Sequence, residues 1–79
     1  MKEARLKDRI IFNVSKFIDT NDEAHLEQSI SDIKSLAKIF RINLKSKGRK
    51  TDLKHAWYSF IKNDDGYIRT LPHLYYNLI

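Results

Sequence analysis

Apolar residues recur at helical spacing in two segments of this chain, and the stretch between them does not continue the pattern. Ile33, Leu36, Ala37 and Phe40 form one set; Leu53, Ala56, Trp57, Phe60 and Ile61 form the other. Both follow the i, i+3, i+4, i+7 rule of a helix face. Between them run polar and basic residues, interrupted only by Ile42 and Leu44. These two alternate with Arg41, Asn43 and Lys45, a period of two that reads as extended chain with two apolar anchors turned inward. The connection is too long for a tight helical hairpin and too short for a further element. Ser29–Lys62 therefore reads as helix, extended connection, helix, and the rest of the chain must pack around it.

Upstream, Leu6, Ile10, Val14, Phe17 and Ile18 make a helical face, which Ile11 and Phe12 widen, so this helix is expected to be covered on more than one side. Asp19-Thr20-Asn21-Asp22 is a turn signal, with Asn21 or Asp22 placed to cap a new helix. Residues 22–28 are either a short helix or the start of one that runs on to 40. Ser29 and Asp32 loosely match a capping box, which favours a break near Ser29 or Ser31. The expected helices are thus 3–18, 30–40 and 50–62, with an extended connection at 41–48 and Thr51 as an alternative cap for the third. Downstream, Asn63-Asp64-Asp65-Gly66 ends that helix. Thr70 is placed to cap a short last helix with Pro72 in its first turn, and Leu71, Leu74, Tyr75 and Leu78 share a face. The fold class expected is all-α, a small three- to four-helix domain.

At 79 residues the chain makes one domain, 1–79. Its parts are an N-terminal helical part (1–28), the helix–connection–helix (29–62) and an aromatic C-terminal segment (63–79). A hydrophobic content of 42% argues against wholesale disorder, yet a core of this size is marginal. Tyr67, Ile68, Leu71, Leu74, Tyr75, Tyr76, Leu78 and Ile79 are too apolar for a free tail. They are expected to fold back onto the groove between the first helix and the central pair, giving a monomer; a dimer made through the same surface is the alternative. There is no cysteine, so disulfides and thiolate metal sites are excluded. The charged opening residues lack an apolar signal core, and no run approaches the roughly 20 apolar residues that span a bilayer. A cytoplasmic location is expected, on the nucleoid or in an infected host cell among the options, and no membrane partner.

The net charge of +5 is not spread evenly. Residues 1–28 carry five cations (Lys2, Arg5, Lys7, Arg9, Lys16) against six anions (Glu3, Asp8, Asp19, Asp22, Glu23, Glu27). Residues 29–62 carry nine (Lys34, Lys38, Arg41, Lys45, Lys47, Arg49, Lys50, Lys54, Lys62) against Asp32 and Asp52, a net +7. Residues 63–79 carry Arg69 against Asp64 and Asp65. A localised basic excess is the electrostatic footprint of phosphate binding. Lys45, Lys47, Arg49, Lys50 and Lys54 are the expected phosphate clamp, around the flexible point Gly48 and the start of the third helix, where N–H groups also face an anion. Lys34, Lys38 and Arg41 extend that patch. Such contacts supply affinity and not sequence readout. Trp57 and Phe60 fall in register with Leu53 and Ile61 and read as core, whereas Tyr58 lies off that face. His25, His55 and His73 read as structural or surface residues; Asp52 and His55 share a helix face, but two ligands do not make a metal site. Asp64-Asp65 reads as a turn. Without a catalytic constellation, the chain is not expected to be an enzyme or to need a cofactor.

The central residues resemble a known pattern. Ile33-Lys34, Leu36-Ala37-Lys38, Ile42 and Gly48-Arg49-Lys50-Thr51-Asp52-Leu53 are similar to the helix–extended loop–helix family of SAP motifs, LEM-like domains and the N-terminal module of Rho termination factors. The resemblance covers residues 30–62. SAP motifs have Gly where this chain has Arg41 and often an Arg where it has Ala56, and its loop is longer. The resemblance implies a nucleic-acid partner, DNA before RNA, held through the basic loop and the start of the following helix. The alternative is a protein-binding adaptor or inhibitor, as some members of the wider family are, of the kind phages and mobile elements encode; the Lys-, Ile- and Asn-rich composition suits that origin.

Overall fold

Leu6, Ile10 and Val14 stand one helical turn apart, and all three are buried along α1, Lys2–Thr20. The computed structural model describes residues 2–44, 52–63 and 66–79. Among these, there are three further helices: α2, Glu23–Phe40; α3, Leu53–Lys62; and α4, Tyr67–Leu78. No strand occurs among the described residues, and Ile42–Leu44 pair with nothing as a sheet would. The all-α expectation holds.

α1 runs to Thr20 because the turn is supplied locally. Asn21 takes a left-handed conformation (φ 58°), which Asn tolerates better than most residues, and its N–H bonds Phe17 O at 2.7 Å. Asp22 then caps α2, its carboxylate accepting the Ala24 N–H at 3.0 Å. This two-residue link makes α1 and α2 an antiparallel hairpin: His25 faces Asn13, and Asp32 faces Arg9.

The break expected near Ser29 or Ser31 is absent, and the second helix spans Glu23–Phe40, not 30–40. The serines that suggested it are satisfied inside the helix. Ser29 Oγ donates to His25 O at 2.8 Å and Ser35 Oγ to Ser31 O at 3.1 Å, the back-bonding that lets a hydroxyl sit mid-helix. Asp32 caps nothing; it is buried. α2 ends in a Schellman turn, with Arg41 N–H bonding Lys38 O (3.3 Å) and Ile42 N–H bonding Ala37 O (2.8 Å). Ile42 and Leu44 pack against the core beyond it, as the period of two implied. Phe40, expected in the core, is 43% exposed. α1 begins opposite Lys38 and Ile39, so α2 runs out of neighbouring wall at its last residue.

α3 starts at Leu53 rather than at 50, and its cap is Asp52 rather than Thr51, with the carboxylate accepting the Lys54 N–H at 3.2 Å. Ala56 and Phe60 are buried. Trp57, expected in the core, is only partly buried, as are Leu53 and Ile61. α4 starts at Tyr67 after Gly66, so Thr70 is not its cap and Pro72 lies well inside the helix. Thr70 Oγ1 instead donates to Tyr67 O at 2.7 Å. Packing sets this earlier start: the Tyr67 ring stands edge-on to Phe60, centroids 5.5 Å apart, and Lys7 Nζ lies 4.4 Å from its centre.

The core draws on every helix: Leu6, Ile10 and Val14; Ile33, Leu36 and Ala37; Ala56 and Phe60; Leu71, Leu74 and Leu78. The C-terminal segment therefore folds back within the chain. α4 packs on α2 and α3, and α1 likewise on both, while α2 and α3 make no close backbone approach to each other. Ile11 is partly buried against the core, but Phe12 is 55% exposed, so α1 is not covered on the side that Phe12 widens. No helix among the described residues is long and apolar enough to cross a membrane.

Phe60 touches the centre of this core, and Phe60→Ala should cost about 3–5 kcal/mol, read by urea unfolding; a midpoint like the parent's would show that α3 does not share the common core. A second test uses pH. Partial burial, and secondarily the Glu3 charge, raise the Tyr67 phenol above its ordinary 10.0. The folded state holds that proton more tightly than the unfolded chain, so its contribution is complete below the unfolded pKa and is lost as pH rises through the folded one. Tyr67→Phe should flatten the alkaline fall in melting temperature; an unchanged alkaline profile would contradict the assignment.

Candidate nucleic-acid interface

The charge that the sequence concentrates in residues 29–62 reaches the surface at both ends of the connection. Of the expected contact residues, Lys38, Arg41 and Lys54 are described, and all three are exposed. Lys45, Lys47, Arg49 and Lys50 lie outside the described residues. Lys38 sits in the last turn of α2, where a cation also offsets the helix dipole. Arg41 comes after it at the left-handed position of the Schellman turn, φ 55°. Neither is in an ion pair among the described residues, nor is Lys54; the ion pair formed there is Arg9–Asp32.

Lys54 stands in the first turn of α3, away from Lys38. It borders a pocket of about 260 Å³ with Ser15, Ile18, Asp19, Trp57 and Tyr58. Tyr58 is 53% exposed, as its place off the helix face implied, and stands edge-on to Trp57 at 6.0 Å. The Trp57 Nε1–H is buried with no acceptor among the described residues. The start of α3 differs from expectation in one respect that matters for anions. Asp52 places its own carboxylate on the first turn, so a negative charge already occupies part of the N-terminus offered to a phosphate.

A second basic feature is built by Arg9, assigned no role from the sequence, and by Asp32, expected there as part of a capping box. Arg9 of α1 meets Asp32 of α2, Nη2 to Oδ1, at 3.2 Å. Asp32 is almost fully buried; Gln28 Nε2 donates to the same Oδ1 at 3.0 Å, and Oδ2 has no partner among the described residues. Asp32 lies in register with Ser29 and Leu36 on the inward face of α2. A charged residue at a core position was the available signal, and the capping reading obscured it. Farther along the hairpin, Asn13 Nδ2 donates to Arg9 O, which leaves Asn13 Oδ1 to accept from His25 Nδ1 at 2.9 Å. His25 is thereby a structural residue of the hairpin. Among the described residues no three His, Asp or Glu side chains come together as a metal site would require.

Comparison with protein-family models, with curated proteins and with solved structures gave no match.

The Arg9–Asp32 pair yields a stability test. Arg9→Ala alone leaves a buried carboxylate without its counter-charge, and should cost about 1–2 kcal/mol, at the low end because Arg9 is half exposed and water screens it. The double variant Arg9→Ala/Asp32→Asn should recover much of that loss in urea unfolding. Equal destabilisation by single and double variants would show that Asp32 is not held as a charge.

Proposed function

We propose that this chain is a small DNA-binding module, not an enzyme, that grips the phosphate backbone through the basic connection between α2 and α3 and the residues flanking it. Lys38, Arg41, Lys45, Lys47, Arg49, Lys50 and Lys54 are the contacting cations. One observation carries the reading. Arg41 holds a left-handed conformation in which a side chain costs about 1–2 kcal/mol and which Gly would occupy freely. At the other αL position the chain uses the tolerant Asn21. A strained, exposed arginine with no acidic partner among the described residues points to a use for its charge. The resemblance of residues 30–62 to helix–extended loop–helix domains supports a nucleic-acid partner, with Arg41 a departure from the Gly usual in SAP motifs. The net +7 of residues 29–62 supplies the field.

Affinity of this kind comes from counterion release and is steeply salt-dependent, without strong sequence preference. Lys47, Arg49 and Lys50 replaced together by Gln should leave helicity intact and weaken binding to mixed-sequence duplex DNA, with the salt slope falling by about 0.9 for every phosphate no longer engaged. Arg41→Gly should melt at or above the parent temperature while binding more weakly. No binding by the parent chain at low salt would sink the proposal and favour a protein-binding adaptor.

A further inference from the structure

A second basic surface lies outside the connection. Between α1 and α2 runs an open groove of about 630 Å³, walled by Lys2, Arg9, Ser31, Asp32, Ser35 and Lys38. Asp32 is already matched by Arg9, so Lys2 and Lys38 leave the groove two positive charges in excess. The antiparallel hairpin brings the first residue of α1 and the last turn of α2 to one end of it. Arg9 stands seven residues farther along α1, about 10 Å at the rise of a helix. The cations are strung along the groove and do not converge on a point.

Asp32 gives the arrangement its second, independent mark. A carboxylate buried to this degree is costly, and here it holds Arg9 rather than capping a helix. Its Oδ1 fixes one edge of the Arg9 guanidinium through Nη2, and the Arg9 side chain is 56% exposed, which leaves its other donors open to the groove. Asp32 acts as a positioning residue that aims Arg9.

We infer that this groove is a second phosphate track, in which Lys2, Lys38 and the Asp32-held Arg9 contact successive phosphates of a nucleic-acid backbone. The inference rests on the nucleic-acid reading above and adds a surface on α1 that the resemblance does not include. A polyanion fits better than a single phosphate because the groove is open along its length and its charges are spaced. Lys38 is common to both surfaces, so one backbone can pass from the connection into the groove.

The test is anisotropy with labelled mixed-sequence duplex DNA over a range of salt, on the full chain. Lys2→Glu/Ser35→Glu puts carboxylates in the groove and leaves Arg9–Asp32 intact. Arg9→Gln/Asp32→Asn removes the aimed guanidinium without orphaning a charge. Both should keep the helical circular dichroism, weaken binding, and lower the salt slope by about 0.9 for each phosphate released from the groove; combination with the Lys47, Arg49 and Lys50 variant should lower it further. Groove variants that bind like the parent while the connection variant is weakened would overturn the groove and spare the proposed function. Loss in the groove variants with an unchanged connection variant would uphold the groove and remove the connection as the main site. No effect from either set would overturn both. Inorganic phosphate is titrated in parallel: saturable binding that the groove variants abolish, without any change in DNA affinity, would make the site one for free phosphate and overturn the backbone track.

Discussion

α2 and α3 flank the connection, yet their backbones make no close approach to each other. What holds them in one domain is that α1 and α4 each bridge the two. Leu71, Leu74 and Leu78 of α4 meet the apolar faces of α2 and α3 and complete a core that the first 62 residues leave open. For a chain of this length the margin between burial and chain entropy is narrow, so the last helix is part of the fold and not an appendage. The same constraint moves its start. Tyr67 and Ile68 gain more by packing against Phe60 and the core than Pro72 loses by standing inside a helix, where it leaves the carbonyl four residues before it without a donor.

The helix ends are where local chemistry and function come closest. Asp22 and Asp52 cap α2 and α3 with their own carboxylates, and a cap of this kind is worth about 1 kcal/mol. Asn21 and Arg41 both turn through the left-handed region, but only the first is a residue suited to it. Stability alone would place Gly at 41. An arginine there keeps a charge just after the last turn of α2, at the head of the basic connection. The proposed function therefore gathers where the chain accepts strain.

The buried polar groups divide in the same way. Asn13 and His25 satisfy each other across the hairpin and leave no orphan at their contact. Asp32 does leave one, and so does Trp57. An unpartnered buried group weakens a small domain by as much as a good cap strengthens it. Asp32 makes both of its contacts, Arg9 and Gln28, through Oδ1 and leaves Oδ2 as the orphan.

Periodicity determined the all-α class, the inward sets of α1 and α2, the extended run through Ile42 and Leu44, and the apolar face of the last helix, while turn chemistry narrowed the α2 cap to Asn21 or Asp22. These are one-dimensional properties: spacing along the chain dictates which side chains share a face. The position of the basic excess was legible for the same reason. Tertiary structure decided the rest. Ser29 and Asp32 read as a helix start because their types favour caps, but packing against α1 kept the helix whole and turned Asp32 toward Arg9. Trp57 and Phe40 carry the right spacing and still stand partly in solvent, because a helix face is buried only where a neighbouring helix reaches it. Arg9 is held by a residue 23 positions away, and no pattern within α1 shows that the hairpin register will bring the two within hydrogen-bond distance.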